Sequence, residues 1–146
     1  MPSFWIINIT ADIYLNDVSD PDWMSKNPNE WVYGTLGDKD TNIGNNNMFS
    51  GKLDGDGHVI HGIYINESAK RASGLFIRLN QNAKVEKLGI AHSYIKAISD
   101  TEGTNAHAGA LAGIINYHKD DGVVISQCFA DETVTVKNGL IFKSNL

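Results

Sequence analysis

Ile60-His61-Gly62-Ile63-Tyr64-Ile65, Val85-Glu86-Lys87-Leu88-Gly89-Ile90 and Ile125-Ser126-Gln127-Cys128-Phe129-Ala130 each carry apolar residues at their first, fourth and sixth positions. Such short runs, rich in Ile, Val and aromatic residues, read as strands. Long helical periodicity is missing throughout the chain. Ile60 and Val85 are 25 residues apart, and Val85 and Ile125 are 40 apart. Periods of roughly 20 to 50 residues mark stacked repeat units. One coil of short strands cannot bury its apolar side chains alone. Stacking coils sets equivalent side chains in columns about 4.8 Å apart and pairs their backbones. The expected inward columns are Ile60/Val85/Ile125, Ile63/Leu88/Cys128 and Ile65/Ile90/Ala130. The step from first to fourth position breaks strict alternation and implies a bend. Gly62 suits a bend there, whereas Lys87 and Gln127 do not demand one. The fold class read from this pattern is an all-β β-solenoid.

A second repeated element lies between these runs. Ser73-Gly74-Leu75-Phe76-Ile77 matches Gly109-Ala110-Leu111-Ala112-Gly113, and a third copy is expected at Asn138-Gly139-Leu140-Ile141-Phe142. Residues 98–107 and 116–122 are expected to loop out of the stack. Residues 1–48 hold all three tryptophans, Trp5, Trp23 and Trp31, and are read as an N-terminal capping region. Residues 49–146 are read as the repeats, in one structural domain. A stack that stops inside a repeat leaves its last apolar face uncovered. The chain is therefore expected to be a fragment of a longer protein, with open ends that self-associate, near Phe142 above all.

Phe49-Ser50-Gly51-Lys52-Leu53-Asp54-Gly55-Asp56-Gly57-His58-Val59-Ile60 resembles the stretch that precedes GLUG-type repeats. Gly74-Leu75-Phe76 followed by Val85-x-x-Leu88-Gly89-Ile90 resembles the repeat itself. Ile9-Thr10-Ala11-Asp12-Ile13-Tyr14-Leu15 resembles the strand that leads such domains. The resemblance runs from about Ile6 to Phe142. It departs from the pattern at Ile77, Ala110 and Ala112, and in the length between Trp23 and Phe49. It implies a right-handed parallel β-helix in bacterial adhesin-like surface or secreted proteins, some of them beside immunoglobulin-A-type peptidase domains.

Composition excludes several function classes. The 146 residues carry a net charge of −5 and no dense Lys/Arg cluster. A phosphate-tracking groove or an acidic membrane surface needs concentrated positive charge, so neither nucleic acid nor membrane is an expected partner. No run of about 18 apolar residues exists to span a bilayer. Met1-Pro2-Ser3-Phe4-Trp5 has neither a basic n-region nor a signal-peptide core. An extracellular or cell-surface location is expected for a fragment without its signal peptide. Cys128 sits in an apolar run with no basic neighbour to activate it, so it reads as a small hydrophobe.

Catalytic patterns are missing: there is no G-x-S-x-G, H-E-x-x-H or phosphate-binding loop. Gly109 and Gly113 read as close coil stacking rather than a cofactor loop. A glycosidase would need two carboxylates roughly 5 to 9 Å apart. The expected outward columns, His61/Glu86/Ser126, Gly62/Lys87/Gln127 and Tyr64/Gly89/Phe129, stack no two acids. Asp120-Asp121 and Asp131-Glu132 read as solvated turns. Asp54-Gly55-Asp56-Gly57 reads as a tight turn, since the residues after it do not complete a calcium loop; whether Asp54 and Asp56 also hold a cation stays open. His58 and His61 are expected on opposite strand faces, and no metal site or cofactor is expected among the five histidines. Trp23, Trp31 and Tyr33 remain as candidate ligand-binding residues. In one reading they stack on sugar rings; in the favoured one they plug the end of the stack. The expectation is a non-catalytic structural or adhesive module whose partner is a glycan or host surface protein. The alternatives are a carbohydrate-binding module and an accessory domain of a polysaccharide-degrading enzyme or surface peptidase.

Overall fold

A computed structural model describes residues 5–36, 48–99, 105–116 and 119–140. A first pass of the chain holds β1 (Ile6–Asn8), β2 (Ile13–Tyr14), β3 (Thr35–Leu36) and β4 (Met48–Phe49). A second holds β5 (Lys52–Asp54), β6 (Val59–His61), β7 (Tyr64–Ile65), β8 (Ala72–Ser73) and β9 (Phe76–Leu79). A third holds β10 (Lys84–Glu86), β11 (Gly89–Ala91), β12 (Ser93–Ser99), β13 (His107–Ala108) and β14 (Ala112–Ile115). A fourth holds β15 (Val124–Ser126), β16 (Phe129–Ala130) and β17 (Val134–Leu140). The only helical elements among the described residues are two 3-10 turns, Trp23–Ser25 and Val32–Gly34.

Equivalent strands of successive passes pair side by side, so each pass is a rung. The five sheets run β1-β5-β10-β15, β2-β6-β11-β16, β7-β12-β17, β3-β8-β13 and β4-β9-β14. All pairings are parallel except that of β3, which lies antiparallel on β8. The molecule is thus all-β, built from mainly parallel sheets. The capping region contributes strands to these same sheets through β1 and β2.

Alternation inside each strand sends every second side chain inward. In β12, Ser93, Ile95, Ala97 and Ser99 are buried, while Tyr94, Lys96 and Ile98 between them are half-buried. Ile63, Ile65, Leu79, Val85, Leu88 and Ile95 are almost fully buried and form the centre of the core. Alternation is reset at the corners by residues with left-handed backbone. Lys87 and Gln127 both have φ 54°, Gly62 has φ 78° and His92 φ 46°. The bend expected at Gly62 is therefore present at Lys87 and Gln127 too, although a side chain there costs about 1–2 kcal/mol.

The register differs from the expected columns. Val85 pairs with Ile125 and Ile90 with Ala130, as expected. Ile60, however, pairs with Ile90, and the partner of Val85 is Leu53. Ile65 pairs with Ile95. The runs at Ile60 and Val85 thus lie at different corners of their rungs. The match of Phe76 with Ala112 holds. Asn138, Gly139 and Leu140 are not a third copy of that element: they extend β17 beside Ala97, Ile98 and Ser99. Ile141 and Phe142 lie outside the described residues.

Close backbone approach explains the repeated glycines. A Cβ on Gly74 would lie 2.8 Å from both the Gly109 carbonyl oxygen and the Gly113 nitrogen. Backbone atoms cannot yield as a flexible side-chain end can. Gly74→Ala is therefore expected to cost about 1–3 kcal/mol in urea unfolding. Leu88→Ala, which empties a core position, should cost about 2–5 kcal/mol. Equal midpoints for Leu88→Ala and the wild type would refute the packing described here.

Candidate functional site

The three residues singled out from sequence go to two different places. Trp23 begins a 3-10 turn whose first N–H bonds to the Asp20 carbonyl (3.1 Å). Its ring is buried and meets Tyr64 edge-on, with centroids 5.9 Å apart. Trp31 is half-buried; its backbone N–H donates to the Tyr64 carbonyl (2.8 Å) and its indole N–H to the Leu75 carbonyl (3.0 Å). Tyr33 is 78% exposed and packs edge-on against Trp31 at 5.5 Å. Trp23 is thus buried against the side of β7, while Trp31 and Tyr33 are neighbours at a surface.

That surface is the mouth of an apolar cavity of about 550 Å³. Its floor is the first rung: Ile7, Ile9 and Ile13 point inward, above Leu53 and Ile60. Ile7 stays 39% exposed because it lacks the cover that Leu53 receives from β1 and β10. Trp31, Tyr33 and the 67%-exposed Trp5 wall the mouth. Trp5 was not nominated from sequence; nothing in its spacing marks it as a neighbour of Tyr33. Arg78 is the one charged residue among the described lining residues. Such a site accepts an apolar or ring-shaped face, but offers few partners to the hydroxyls it would desolvate.

The Asp and Asn side chains expected beside the aromatics gather around Trp23 instead, in a cavity of about 430 Å³. They are largely occupied by the chain itself. The Asn16 amide donates to the carbonyls of Gly62 (2.8 Å) and Asn29 (3.0 Å) and accepts the Asn29 N–H (2.7 Å). Asp17 accepts from Ser19, and Asp20 from the Asp22 N–H and Lys26. Glu30, also missed from sequence, fastens this segment to the turn after β7. It accepts the N–H groups of Asn66, Glu67 and Ser68 and the Ser68 hydroxyl. Partial burial pushes the Glu30 carboxyl up, but these four donors outweigh it and hold it below its ordinary 4.5.

The outer faces differ from expectation in one respect. Asp54 and Glu86 are in register on adjacent strands, so two acids do stack. The difference in corner between the Ile60 and Val85 runs hid them. Glu86 is 3.1 Å from both Lys52 and Lys84, which hold its carboxyl below the usual range. Asp54 accepts the Asp56 N–H (2.9 Å), which is the tight turn expected of that segment. Cys128 is half-buried against the core, its thiol 3.4 Å from the Ser126 carbonyl. His58 and His61 do not diverge: both face Asp12, at 3.3 and 3.8 Å. His58 precedes β6 in a turn, where strand alternation does not apply. Among the described residues no group of three or more His, Cys, Asp or Glu side chains is arranged to hold a metal ion. His118 lies outside the described residues.

No family model matches the sequence, and no solved structure matches it. An 84-residue segment is 37% identical to a protein of Evansella cellulosilytica named "Putative Gly-rich membrane protein". The match covers 57% of this chain and 9% of that protein. No helix among the described residues is long and apolar enough to cross a membrane.

Because the Glu30 pKa is lower folded than unfolded, its contribution to stability is complete above its ordinary 4.5. It is lost as the pH falls through the folded value. Glu30→Gln should remove this acid-dependent part and cost about 1 kcal/mol at neutral pH, after allowance for solvent screening. Denaturation curves at stepped pH check this, and an unchanged pH dependence would contradict it.

Proposed function

We propose that the chain is a right-handed β-solenoid of the GLUG-repeat type, serving as a non-catalytic structural or adhesive module of a bacterial surface or secreted protein. The observation that carries this reading is the rung-on-rung register. Leu53, Val85 and Ile125 stack inward, while the outward charges beside them are spent on one another as Lys52 and Lys84 against Glu86. Such a surface is built to persist and to present faces. The likeness to part of a protein named for a membrane supports a place at the cell envelope. An antibody raised against the chain is expected to label intact cells of the parent bacterium or its medium. Labelling only after lysis would overturn the location, and sugar release from a polysaccharide panel would overturn the non-catalytic reading.

The cavity walled by Trp5, Trp31 and Tyr33 supports a second reading, binding of a ring-faced ligand such as a glycan. Trp5 and Tyr33 are mostly exposed, so removing them leaves the core intact. Trp5→Ala and Tyr33→Ala should each weaken retention on a binding polysaccharide by about 1 kcal/mol, roughly fivefold. Retention equal to wild type in the double variant would remove the cavity as a platform. Self-association through sheet edges belongs to the first reading: Val124, Ile125, Phe129 and Val136 on the fourth rung are 41–52% exposed. Sedimentation at rising concentration should show dimers, and Ile125→Lys should abolish them.

A further inference from the structure

The corner between the second and third sheets brings together side chains far apart in sequence. His61 ends β6 and pairs with Ala91, the last residue of β11. His92 follows in left-handed backbone, φ 46°, and its carbonyl accepts the Gly62 N–H at 3.0 Å. The left-handed turn swings the His92 ring back over the rung edge toward His61. Their Nδ1 atoms lie 3.1 Å apart and their ring centroids 5.3 Å. Tyr14, from the first rung, stacks flat on His61, at 4.5 Å and 4°. The His61 ring is thus held in place by both contacts and is 14% exposed.

The second nitrogen of His61 is also provided for. Nε2 is 3.8 Å from Asp12 Oδ2. Asp12 is itself fixed, because Oδ1 accepts the Val59 N–H at 2.9 Å and faces His58 Nδ1 at 3.3 Å. With Nε2 turned toward this carboxylate, Nδ1 is the nitrogen that meets His92. On the far side, the His92 N–H donates to the Thr133 hydroxyl at 2.6 Å, and Asp131 accepts the Thr133 N–H at 2.9 Å.

We propose that His61 and His92 form a two-histidine site for a divalent late first-row cation, Cu²⁺ ahead of Zn²⁺, through their Nδ1 atoms. At about 2.0–2.1 Å from each nitrogen, a cation bridging the 3.1 Å gap subtends roughly 100° between them. That angle falls between square-planar and tetrahedral coordination. Imidazole nitrogen suits Cu²⁺, Ni²⁺ and Zn²⁺, and Cu²⁺ binds most tightly to a given donor set. Asp12 is a positioning residue, the outer carboxylate that orients a ligating imidazole. Water fills the remaining positions. This site is independent of the surface-module reading, and either can fail without the other.

The test is calorimetric titration of the full chain with CuCl₂ and ZnCl₂, alongside electron paramagnetic resonance of the Cu²⁺ form. A single saturable Cu²⁺ is expected, tighter than Zn²⁺, with splitting from two nitrogen donors. His92→Asn keeps a residue that tolerates left-handed backbone and should abolish the binding. His107→Asn, in β13, should leave it in place. Asp12→Asn should weaken it by about 10–100-fold. Circular dichroism confirms that each variant is folded. The proposal is overturned if wild-type chain gives no saturable binding or a spectrum without two nitrogen donors, a result that needs no variant. It is equally overturned if His92→Asn binds as tightly as wild type.

Discussion

An inward side chain such as Val85 finds its cover in the rungs on either side, Leu53 below and Ile125 above. Backbone pairing between rungs and apolar contact between rungs are therefore one interaction seen twice. A slip of one residue would turn every buried side chain outward, so the register is fixed by the whole column. The glycines at Gly74 and Gly113 follow from the same constraint, because rungs joined by strand spacing leave no room for a Cβ where the backbone turns, whereas Gly109 is closed off by the Ala112 carbonyl of its own turn. The paired charges outside follow too: strands that stack in register set Lys52 beside Lys84 and Asp54 beside Glu86.

The all-β class and the stacking were legible in the sequence; the phase of the second rung was not. The pattern apolar at first, fourth and sixth positions arises at every corner where a left-handed residue resets the alternation. Gly62 makes it after Ile60, and Lys87 makes it after Val85, yet these are different corners. The true counterpart of Ile60-x-x-Ile63-x-Ile65 is Ile90-x-x-Ser93-x-Ile95. It was disguised because a serine fills the middle inward position. Ser93 is tolerated there since its hydroxyl accepts the Ile63 N–H (3.1 Å) and donates to the Ala91 carbonyl (2.8 Å).

The candidate residues were half legible for a related reason. Composition draws attention to tryptophan and tyrosine in polar sequence, and Trp31 and Tyr33 do meet at a surface. It does not tell a buried ring from an exposed wall: Trp23 packs on Tyr64, while the Trp31 indole reaches the Leu75 carbonyl. The His61–His92 contact has no local signal at all. Thirty-one residues separate the two, and their meeting depends on His92 taking the left-handed conformation that Gly62 takes one rung earlier.

Each strand pairs only with strands of the passes beside it. Stability in such an array accumulates by neighbours rather than around one centre. Residues 16–36 are fastened to the second rung by Asn16, Glu30 and Trp31, so the first rung is tied down by side chains where its own strands are short. Loosening that belt would fray the molecule from one end and leave β10 and β12 intact. The edge that β15 and β16 present is then the same kind of edge that β10 and β11 present to them, a row of backbone groups set by register rather than by any one side chain.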